Sequence, residues 1–316
     1  ERISAAAEFR RRWVKDSDAF RVVFSEADQL PGLVIDRYND IFTVQALSQA
    51  MDSPQVKEAV LAALKKEYGE GLHVVERSEP RIRELEELPP LESLQMAGIK
   101  AQSIFTMNGL RFHFDAFAGQ KSGAFLDQRE NYRAAAEHAR GEALDVFCYQ
   151  GGFALHLARV CEQVTGVDAS RPALEIAETN ISLNQPQMRT KEVEWIEANA
   201  FDLLKDYAAG KKQYDTIVLD PPAFAKSKRA AESAARGYKE LNLRALKMLR
   251  PGGVLITNSC SHHVSDVDFL EMLASAAVDA KRYVRILEKR GPSKDHPVVS
   301  TIPETSYLKC VICHVE

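Results

Sequence analysis

The sequence predicts an α/β fold, in which a mostly parallel sheet with flanking helices follows a small α+β domain. Between residues 143 and 258, apolar strand-like segments alternate with helical segments, a pattern typical of βαβ units in a parallel sheet. The last two strand-like segments, 282–288 and 307–315, have no clear helix between them, so we expect an antiparallel hairpin that closes the sheet. Residues 1–118 instead mix hairpins and helices, so we place the domain boundary between residues 118 and 119.

The first domain, 1–118, contains helix, strand and turn signals. We predict helices at 3–13 and 54–68, strands at 32–38, 41–46 and 72–75, and a hairpin at 105–114. Its two tight turns fall at Asn39-Asp40 and Asn108-Gly109, because Asn and Gly accept the left-handed backbone of short hairpin turns. Ser53-Pro54 begins the second helix and Gly69 ends it.

The second domain, 119–316, supplies the strand ends at which ligands bind in doubly wound sheets. We predict strands at 143–148, 163–168, 193–197, 214–219 and 253–258, with helices at 153–161, 171–184 and 237–249. The segments that follow the first four strands are Cys148-Tyr-Gln-Gly-Gly152, Asp168-Ala-Ser170, Asn199-Ala-Phe201 and Asp220-Pro-Pro222. We expect these segments to meet at one edge of the sheet and to form the binding site.

The composition is ordinary for a globular protein and excludes several classes. The chain of 316 residues has no apolar run of about 18 residues, which a membrane-spanning helix needs. Its five cysteines are too few for a disulfide scaffold, so we expect reduced thiols and a cytoplasmic protein. The formal charge of -4 argues against a uniformly basic nucleic-acid binder but leaves room for a local basic cleft. Cys310 and Cys313 share one strand and point to opposite faces, so we expect no metal site.

Polar residues at the predicted strand ends suit a nucleoside ligand. Gly151-Gly152 allows the backbone to approach a ligand closely, although the pattern is not the dinucleotide-binding G-x-G-x-x-G. Asp168 could accept hydrogen bonds from two ribose hydroxyls, and the alternative is a helix N-cap. Asn199 could hold the edge of an adenine, and the alternative is an ordinary loop residue.

Together these strand ends resemble those of class I S-adenosylmethionine (SAM) methyltransferases, whose sheet is Rossmann-like. The Asp220-Pro-Pro-Ala-Phe224 segment resembles the D/N-P-P motif of nucleobase methyltransferases. The RlmI family of bacterial 23S rRNA (cytosine-5)-methyltransferases is similar at residues 119–131, 144–153, 220–228, 258–261, 295–297 and 307–309. The resemblance extends from about Arg21 to the C-terminus. Members usually carry an N-terminal PUA domain, and nothing precedes Glu1 to supply one, so we expect that domain to be removed or lacking.

The resemblance implies a role for each matching residue. It implies that SAM is bound by Phe125, Gln128, Arg129, Asp145, Cys148, Gly151, Gly152, Asp168, Ala169, Asn199, Ala200 and Asp220. It implies that the base is contacted by Pro221, Pro222 and Phe224. Lys226, Lys228 and Arg229 follow this loop and could hold RNA phosphates, and the alternative is that they are solvated loop residues. Within the first set, Arg129 would pair with the SAM carboxylate, and Asn199 stands where the family often has Asp. It also implies 23S rRNA as the partner and a homodimer.

Cys260 is the candidate nucleophile of the implied reaction. Carbon 5 of cytosine is unreactive until a thiolate adds at carbon 6. Cys260 follows the fifth strand in Asn258-Ser-Cys-Ser261, similar to the T/S-C-S motif in which RNA cytosine methyltransferases carry their nucleophile. Asp220 would hydrogen-bond the cytosine and could protonate it. The alternative for Cys260 is a small buried residue, and the base that removes the carbon 5 proton stays open among Asp220, water and a histidine.

Two rival functions stay open from the sequence. A guanine rRNA methyltransferase would share a similar Asp-Pro-Pro-Phe stretch and would need no thiol nucleophile. A non-catalytic module that binds SAM and RNA would need neither Asp220 nor Cys260, and the chain contains both. Arg10, Arg11 and Arg12 on the first helix are expected to form a solvated face unless they dock RNA.

Overall fold

The computed structural model describes residues 1–92, 94–117, 124–190, 192–224 and 231–316. The chain divides into two compact units, each discontinuous in sequence. Glu1–Arg129 and Ser293–Thr305 form the first unit, and Glu130–Pro292 and Ser306–Glu316 form the second. The boundary expected between residues 118 and 119 lies outside the described residues and stays a prediction.

The first unit combines helices with a mostly antiparallel sheet. Its helices are α1 (Arg2–Trp13), α2 (Pro54–Tyr68) and α3 (Pro80–Leu85). Its strands are β1 (Ala19–Phe24), β2 (Leu33–Tyr38), β3 (Ile41–Ala46), β4 (His73–Glu76), β5 (Leu94–Ala97), β6 (Gln102–Met107) and β7 (Leu110–Asp115). Strands β1 to β5 form one sheet in chain order, in which β3 and β4 are parallel, and β6 pairs with β7.

Local chemistry fixes the turns and helix ends of this unit as the sequence predicts. Tyr38 pairs with Ile41 across the first hairpin, and Asn39 at its turn has a φ of 58°. Asn108 and Gly109 have positive φ at the second hairpin, as a short β-turn requires. Both predicted hairpins are therefore confirmed.

Arg10 corrects the expectation that the arginines of α1 form a solvated face. Its side chain is fully buried, and its guanidinium donates to both carboxylate oxygens of Asp28 at 2.5 and 2.8 Å. Two further donors reach the carbonyl oxygens of Arg21 and Asp295. A guanidinium can be buried at this position because four of its five N–H donors meet acceptors and its charge is paired with Asp28.

The second unit alternates helices with strands as predicted. Its helices are α4 (Arg129–His138), which begins at the unit boundary, α5 (Gly152–Ala158), α6 (Arg171–Ser182), α7 (Ala200–Ala209), α8 (Ala231–Met248) and α9 (Asp266–Ala280). Its strands are β8 (Glu142–Val146), β9 (Gln163–Asp168), β10 (Val193–Glu197), β11 (Tyr214–Leu219), β12 (Leu249–Ser259), β13 (Val284–Arg290) and β14 (Lys309–Val315).

These strands form one seven-stranded sheet in the order β10-β9-β8-β11-β12-β14-β13. Strands β8 to β12 are parallel to their neighbours in this group, which confirms the mostly parallel α/β sheet. Strand β14 lies between β12 and β13 and is antiparallel to both. The predicted antiparallel pair, β13 and β14, is confirmed. Strand β14 joins this pair to the parallel strands through its hydrogen bonds with β12. Within the described part of the chain, no helix has the length and apolar character needed to cross a membrane.

Candidate active site

The carboxyl ends of β8 and β11 are neighbours at the centre of the second unit's sheet. The chain leaves β8 toward β9 and β10, then returns to β11 and continues to β12 on the other side. Ligands bind where strand order reverses in this way. The Asp220 N–H donates to the Val146 carbonyl oxygen at 3.2 Å, which ties the residue after β11 to the end of β8. The polar segments that follow these strands therefore share one edge of the sheet.

The backbone between β8 and α5 is folded tightly. Phe147 and Tyr149 have positive φ values of 69° and 49°, a conformation that non-glycine residues seldom adopt and that often accompanies ligand sites. At Gly151, with a φ of 84°, a Cβ would lie 2.6 Å from the Leu155 side chain. A larger residue there would be strained by the left-handed backbone and would displace the end of the Leu155 side chain, so the turn favours the predicted glycine.

Gly152 makes a second close approach at the start of α5. A Cβ there would lie 2.5 Å from the ring of Tyr132. Because neither glycine has a side chain, the turn packs closely against Leu155 and Tyr132, and its backbone can also approach a ligand at the strand ends.

Asp168 is fixed in orientation at the end of β9. Its two carboxylate oxygens accept hydrogen bonds from the Tyr149 and Ser170 N–H groups, each at 2.9 Å. The N-cap of α6 is Ser170, whose side chain accepts from the Ala173 N–H. The alternative reading of Asp168 as that N-cap is therefore wrong. Each carboxylate oxygen keeps a further lone pair for another donor, and Ala169 beside it is exposed.

Asp145 is a fully buried carboxylate beneath the same edge. One oxygen accepts from the Ala154 N–H at 2.8 Å, and the other has no hydrogen-bond partner among the described residues. Burial raises the pKa of Asp145 well above its usual range, and the negative charges of Asp220 and Asp168 raise it further. Three carboxyl groups close enough to perturb one another favour a positively charged ligand.

SAM fits this arrangement, because its sulfonium and ammonium groups are cations and Asp145 carries an orphaned buried oxygen. Cys148 adds little through its thiol: it is buried, and burial together with Asp145 and Asp168 raises its pKa well above the usual range. The negative charge of the edge thus comes from carboxylates. The assignment of these residues to SAM stays a prediction.

Asn199 lies at the N-terminus of α7 and acts as its cap. Its side-chain oxygen accepts from the Phe201 and Asp202 N–H groups at 2.9 and 3.4 Å. Asn199 is therefore a helix cap, which differs from the alternative interpretation as an ordinary loop residue. The side chain is exposed and Ala200 is buried, so an adenine contact through the Asn199 amide nitrogen stays a prediction.

Three residues assigned to SAM by resemblance belong to the first unit. Phe125 is half-buried, and Gln128 and Arg129 are buried. The Arg129 guanidinium donates to a carboxylate oxygen of Asp295 at 2.8 Å, and both side chains are almost fully enclosed. Asp295 thus binds the guanidinium that the resemblance pairs with the SAM carboxylate. The pairing of Arg129 with SAM stays a prediction.

Cys260 lies next to the Asp-Pro-Pro segment, as the strand order predicts. Its Sγ is 3.9 Å from the carbonyl oxygen of Pro221, and the thiol is half-buried. The Asn258 side chain donates to the Leu219 carbonyl at 3.0 Å and joins the ends of β12 and β11. The structure therefore brings together the thiol and the loop that follows β11, which includes Asp220.

Helix α8 contributes Tyr238 next to the segment that carries Cys260. Tyr238 is buried, and its hydroxyl lies 2.9 Å from the hydroxyl of Ser261. Phe224 packs against the Tyr238 ring with centroids 4.8 Å apart. Pro221 is buried and Pro222 is exposed. Their contact with the substrate stays a prediction.

Lys309 is a site residue that sequence reasoning missed. It is buried at the start of β14, and its Nζ donates to the Ser261 carbonyl at 2.8 Å. The signal that could have found it is its place in the 307–309 segment of the family resemblance. The predicted RNA contacts Lys226, Lys228 and Arg229 lie outside the described residues.

Comparison with known sequences places the chain among methyltransferases. Residues 56–303 match the S-adenosylmethionine-dependent methyltransferase family. The ribosomal RNA large subunit methyltransferase I of Photobacterium profundum is 37% identical over 301 residues, 94% of this chain and 74% of that protein. The protein of the same name from Yersinia pestis is 36% identical over 312 residues, 96% of this chain and 77% of that protein.

Comparison with solved structures supports the fold. A Streptococcus mutans protein described as a SAM-dependent methyltransferase superposes with a TM-score of 0.82 and 19% identity, over 99% of this chain and 80% of that one. The tRNA m1G37 methyltransferase of M. jannaschii gives a TM-score of 0.59 with 16% identity, over 91% and 77%. At these identities the likeness concerns the fold alone.

Proposed function

This chain belongs to the family of S-adenosylmethionine-dependent methyltransferases that includes ribosomal RNA large subunit methyltransferase I, and on that premise we propose that it methylates carbon 5 of a cytosine in 23S rRNA. The related large-subunit enzymes support rRNA as the substrate. The choice of cytosine depends on one thiol.

The observation that carries the choice of base is the position of Cys260. Its Sγ lies 3.9 Å from the Pro221 carbonyl oxygen, on the loop that begins with Asp220. A planar base held by this loop would present its edge to Asp220 and its face to the thiol. Transfer to a ring nitrogen of guanine would give a thiol at this place no chemical task.

In the proposed mechanism Cys260 attacks the base as a thiolate. A bond forms between Sγ and carbon 6, the carbon 5–carbon 6 double bond opens, and Asp220 or a water protonates the ring nitrogen. Bound SAM supplies the methyl group for carbon 5. A base then removes the carbon 5 proton, the double bond re-forms, Cys260 leaves as a thiolate, and the ring nitrogen returns its proton to Asp220 or water. The roles of Asp168 and the Gly151-Gly152 turn are to hold and orient the cofactor.

The surrounding assignments follow from the same proposal. Five free cysteines, four of them buried, are consistent with a reducing compartment, so we place the protein in the cytoplasm. We also propose a homodimer, which light scattering of the purified protein would test. The RNA contacts assigned to Pro222 and Phe224 belong to the same proposal.

The test is methylation of unmodified 23S rRNA by the purified protein, with mass-spectrometric analysis of the nucleosides. We expect 5-methylcytidine from the wild type and none from Cys260→Ala, with SAM binding retained in both. Cys161→Ala, which removes a buried thiol in α5's neighbourhood, is the matched control and should stay active. Methylguanosine formed by an active Cys260→Ala variant would establish the guanine rival. Absence of any product despite SAM binding would favour the non-catalytic module.

A further inference from the structure

A buried lysine lies beside the proposed nucleophile. Lys309 is the first residue of β14, and its backbone pairs with that of Ser259 on β12, one residue before Cys260. Only 4% of Lys309 is exposed to solvent. Lysine is seldom buried unless its charge is compensated, so we looked for the groups that compensate the charge of Lys309.

The direct partners of this lysine are uncharged. Its Nζ donates to the carbonyl oxygens of Ser261 at 2.8 Å and Tyr307 at 3.0 Å. No ion pair links Lys309 to a carboxylate of the described residues within 4.0 Å. Two carbonyl oxygens satisfy two of the three ammonium donors and leave the positive charge without a formal counter-ion.

The geometry places Cys260 beside this charge, because Lys309 pairs with Ser259 and its Nζ donates to the Ser261 carbonyl, the residues on either side of Cys260. Burial lowers the pKa of Lys309, while Asp266, Cys260 and Asp268 act in the opposite direction. Asp266 and Asp268 are exposed on α9, and the Asp268 carboxylate also accepts from Ser265 at the helix N-terminus, so solvent screens both. The thiol is half-buried on the segment that the lysine holds, where screening is weaker.

Among the described residues, neither Tyr238 nor Asp220 supplies a positive charge to the thiol. Tyr238 on α8 has its hydroxyl 2.9 Å from that of Ser261, and burial raises its pKa, so it stays a neutral phenol at physiological pH. Asp220, at the start of the loop after β11, would disfavour a thiolate whenever its carboxyl group is ionised. An ammonium group beside Cys260 therefore offsets an otherwise unfavourable setting for the ionised sulfur.

We propose that Lys309 is a positioning residue that holds the segment carrying Cys260 through the Ser261 carbonyl and stabilises the Cys260 thiolate with its ammonium group. The catalytic meaning of this pair rests on the proposed function, in which Cys260 attacks the base. The pair itself is a property of the free protein and can be measured without RNA or SAM.

The test is the pH dependence of Cys260 alkylation by iodoacetamide, followed on the Cys260 peptide by mass spectrometry. We compare the wild type with Lys309→Met, Lys309→Gln and Lys309→Arg. Gln keeps hydrogen-bond donors without the charge, and Arg keeps the charge, so at least one informative variant is expected to fold. Lys289→Gln, an exposed lysine on β13, is the matched control.

Loss of the charge should move the alkylation profile of Cys260 upward by about one pH unit, which slows alkylation ~10-fold at neutral pH. Lys309→Arg and Lys289→Gln should retain the wild-type profile. An unchanged profile in folded Lys309→Gln and Lys309→Met would overturn the proposal. That result would leave the proposed function unaffected. A shifted profile together with an active Cys260→Ala enzyme would refute the cytosine mechanism but would still support the interaction between Lys309 and Cys260.

Discussion

Two buried cations, Arg10 and Lys309, show how differently this chain compensates charge. Arg10 is enclosed with its own carboxylate, Asp28, and with carbonyl oxygens, so its role is complete within the fold. Lys309 has carbonyl oxygens alone as direct partners. The guanidinium of the first unit therefore stabilises structure, whereas the ammonium of the second unit keeps its charge available for a neighbouring group.

Asp168→Asn tests the cofactor side of the site at the scale of one residue. The carboxylate is fixed by the Tyr149 and Ser170 N–H groups and keeps lone pairs for hydroxyl donors. Loss of charged hydrogen bonds costs about 1.5–3 kcal/mol, so we expect SAM affinity to fall by ~10- to 100-fold. Titration calorimetry with the free protein measures this directly.

Asp206→Asn on the exposed side of α7 removes the same charge elsewhere in the unit and is the control. It should leave SAM affinity unchanged. Equal affinities for Asp168→Asn and the wild type would mean that Asp168 serves only to join the loop after β8 to α6.

Residues that follow apolar strands could be predicted as site residues, and buried ionic partners could not. Asp220 and Cys260 come directly after β11 and β12, Asp168 is the last residue of β9, and the carboxyl ends of parallel strands meet at one edge of the sheet. Lys309 and Arg10 look like surface residues in the sequence, because lysine and arginine usually are. Their burial depends on acceptors that are distant in sequence, which no local pattern reveals.

At the scale of elements, α5 contains a histidine that makes stability depend on pH. His156 is buried, its Nδ1 lies 2.7 Å from the Gly152 carbonyl, and burial lowers its pKa from 6.5 to about 4. The unfolded chain therefore binds a proton near pH 6.5 that the folded chain refuses until about pH 4. Stability is lost as the pH falls through this window, by about 3 kcal/mol in total.

Urea unfolding at a series of pH values, for the wild type and His156→Gln, measures this contribution. We expect the variant to be less stable at neutral pH and to show a smaller slope between the two pKa values. His263→Gln, which changes an exposed histidine, should keep the wild-type slope. Parallel pH profiles for His156→Gln and the wild type would rule out His156 as the source.

Elements with strong local signals were predicted with accurate limits. β9, β10 and β11 match their predicted bounds, because each is a short apolar run with clear breaks on both sides. β1, β5 and α3 were missed: β1 carries Arg21 within its apolar run, and the other two are only four and six residues long. Such elements are stabilised by sheet pairing and packing and not by their own sequence.

At the scale of the whole molecule, the net charge of -4 must coexist with RNA binding. We predict that affinity for rRNA falls as salt rises, and that replacing Lys226, Lys228 and Arg229 together by Ala reduces the slope of log Kd against log salt by about 2–3. Filter binding at several salt concentrations measures this. Lys205, Lys211 and Lys212, all exposed on or after α7, provide the triple-Ala control, whose slope should not change.

The fold as a whole does not choose between bases. A tRNA m1G37 methyltransferase shares this fold at a TM-score of 0.59, so the sheet and its strand order are compatible with guanine chemistry. The thiol of Cys260, its contact with the Pro221 carbonyl and the buried Lys309 favour cytosine.

The most direct measurement is the mass of the Cys260 peptide after incubation with SAM and 23S rRNA that contains 5-fluorocytosine. Fluorine at carbon 5 prevents removal of the proton that normally releases the enzyme, so the thiol stays bound to carbon 6. We predict a denaturation-resistant RNA adduct on Cys260 in the wild type and none in Cys260→Ala. Methylation of 23S rRNA without an adduct, or an adduct on another residue, would contradict the account.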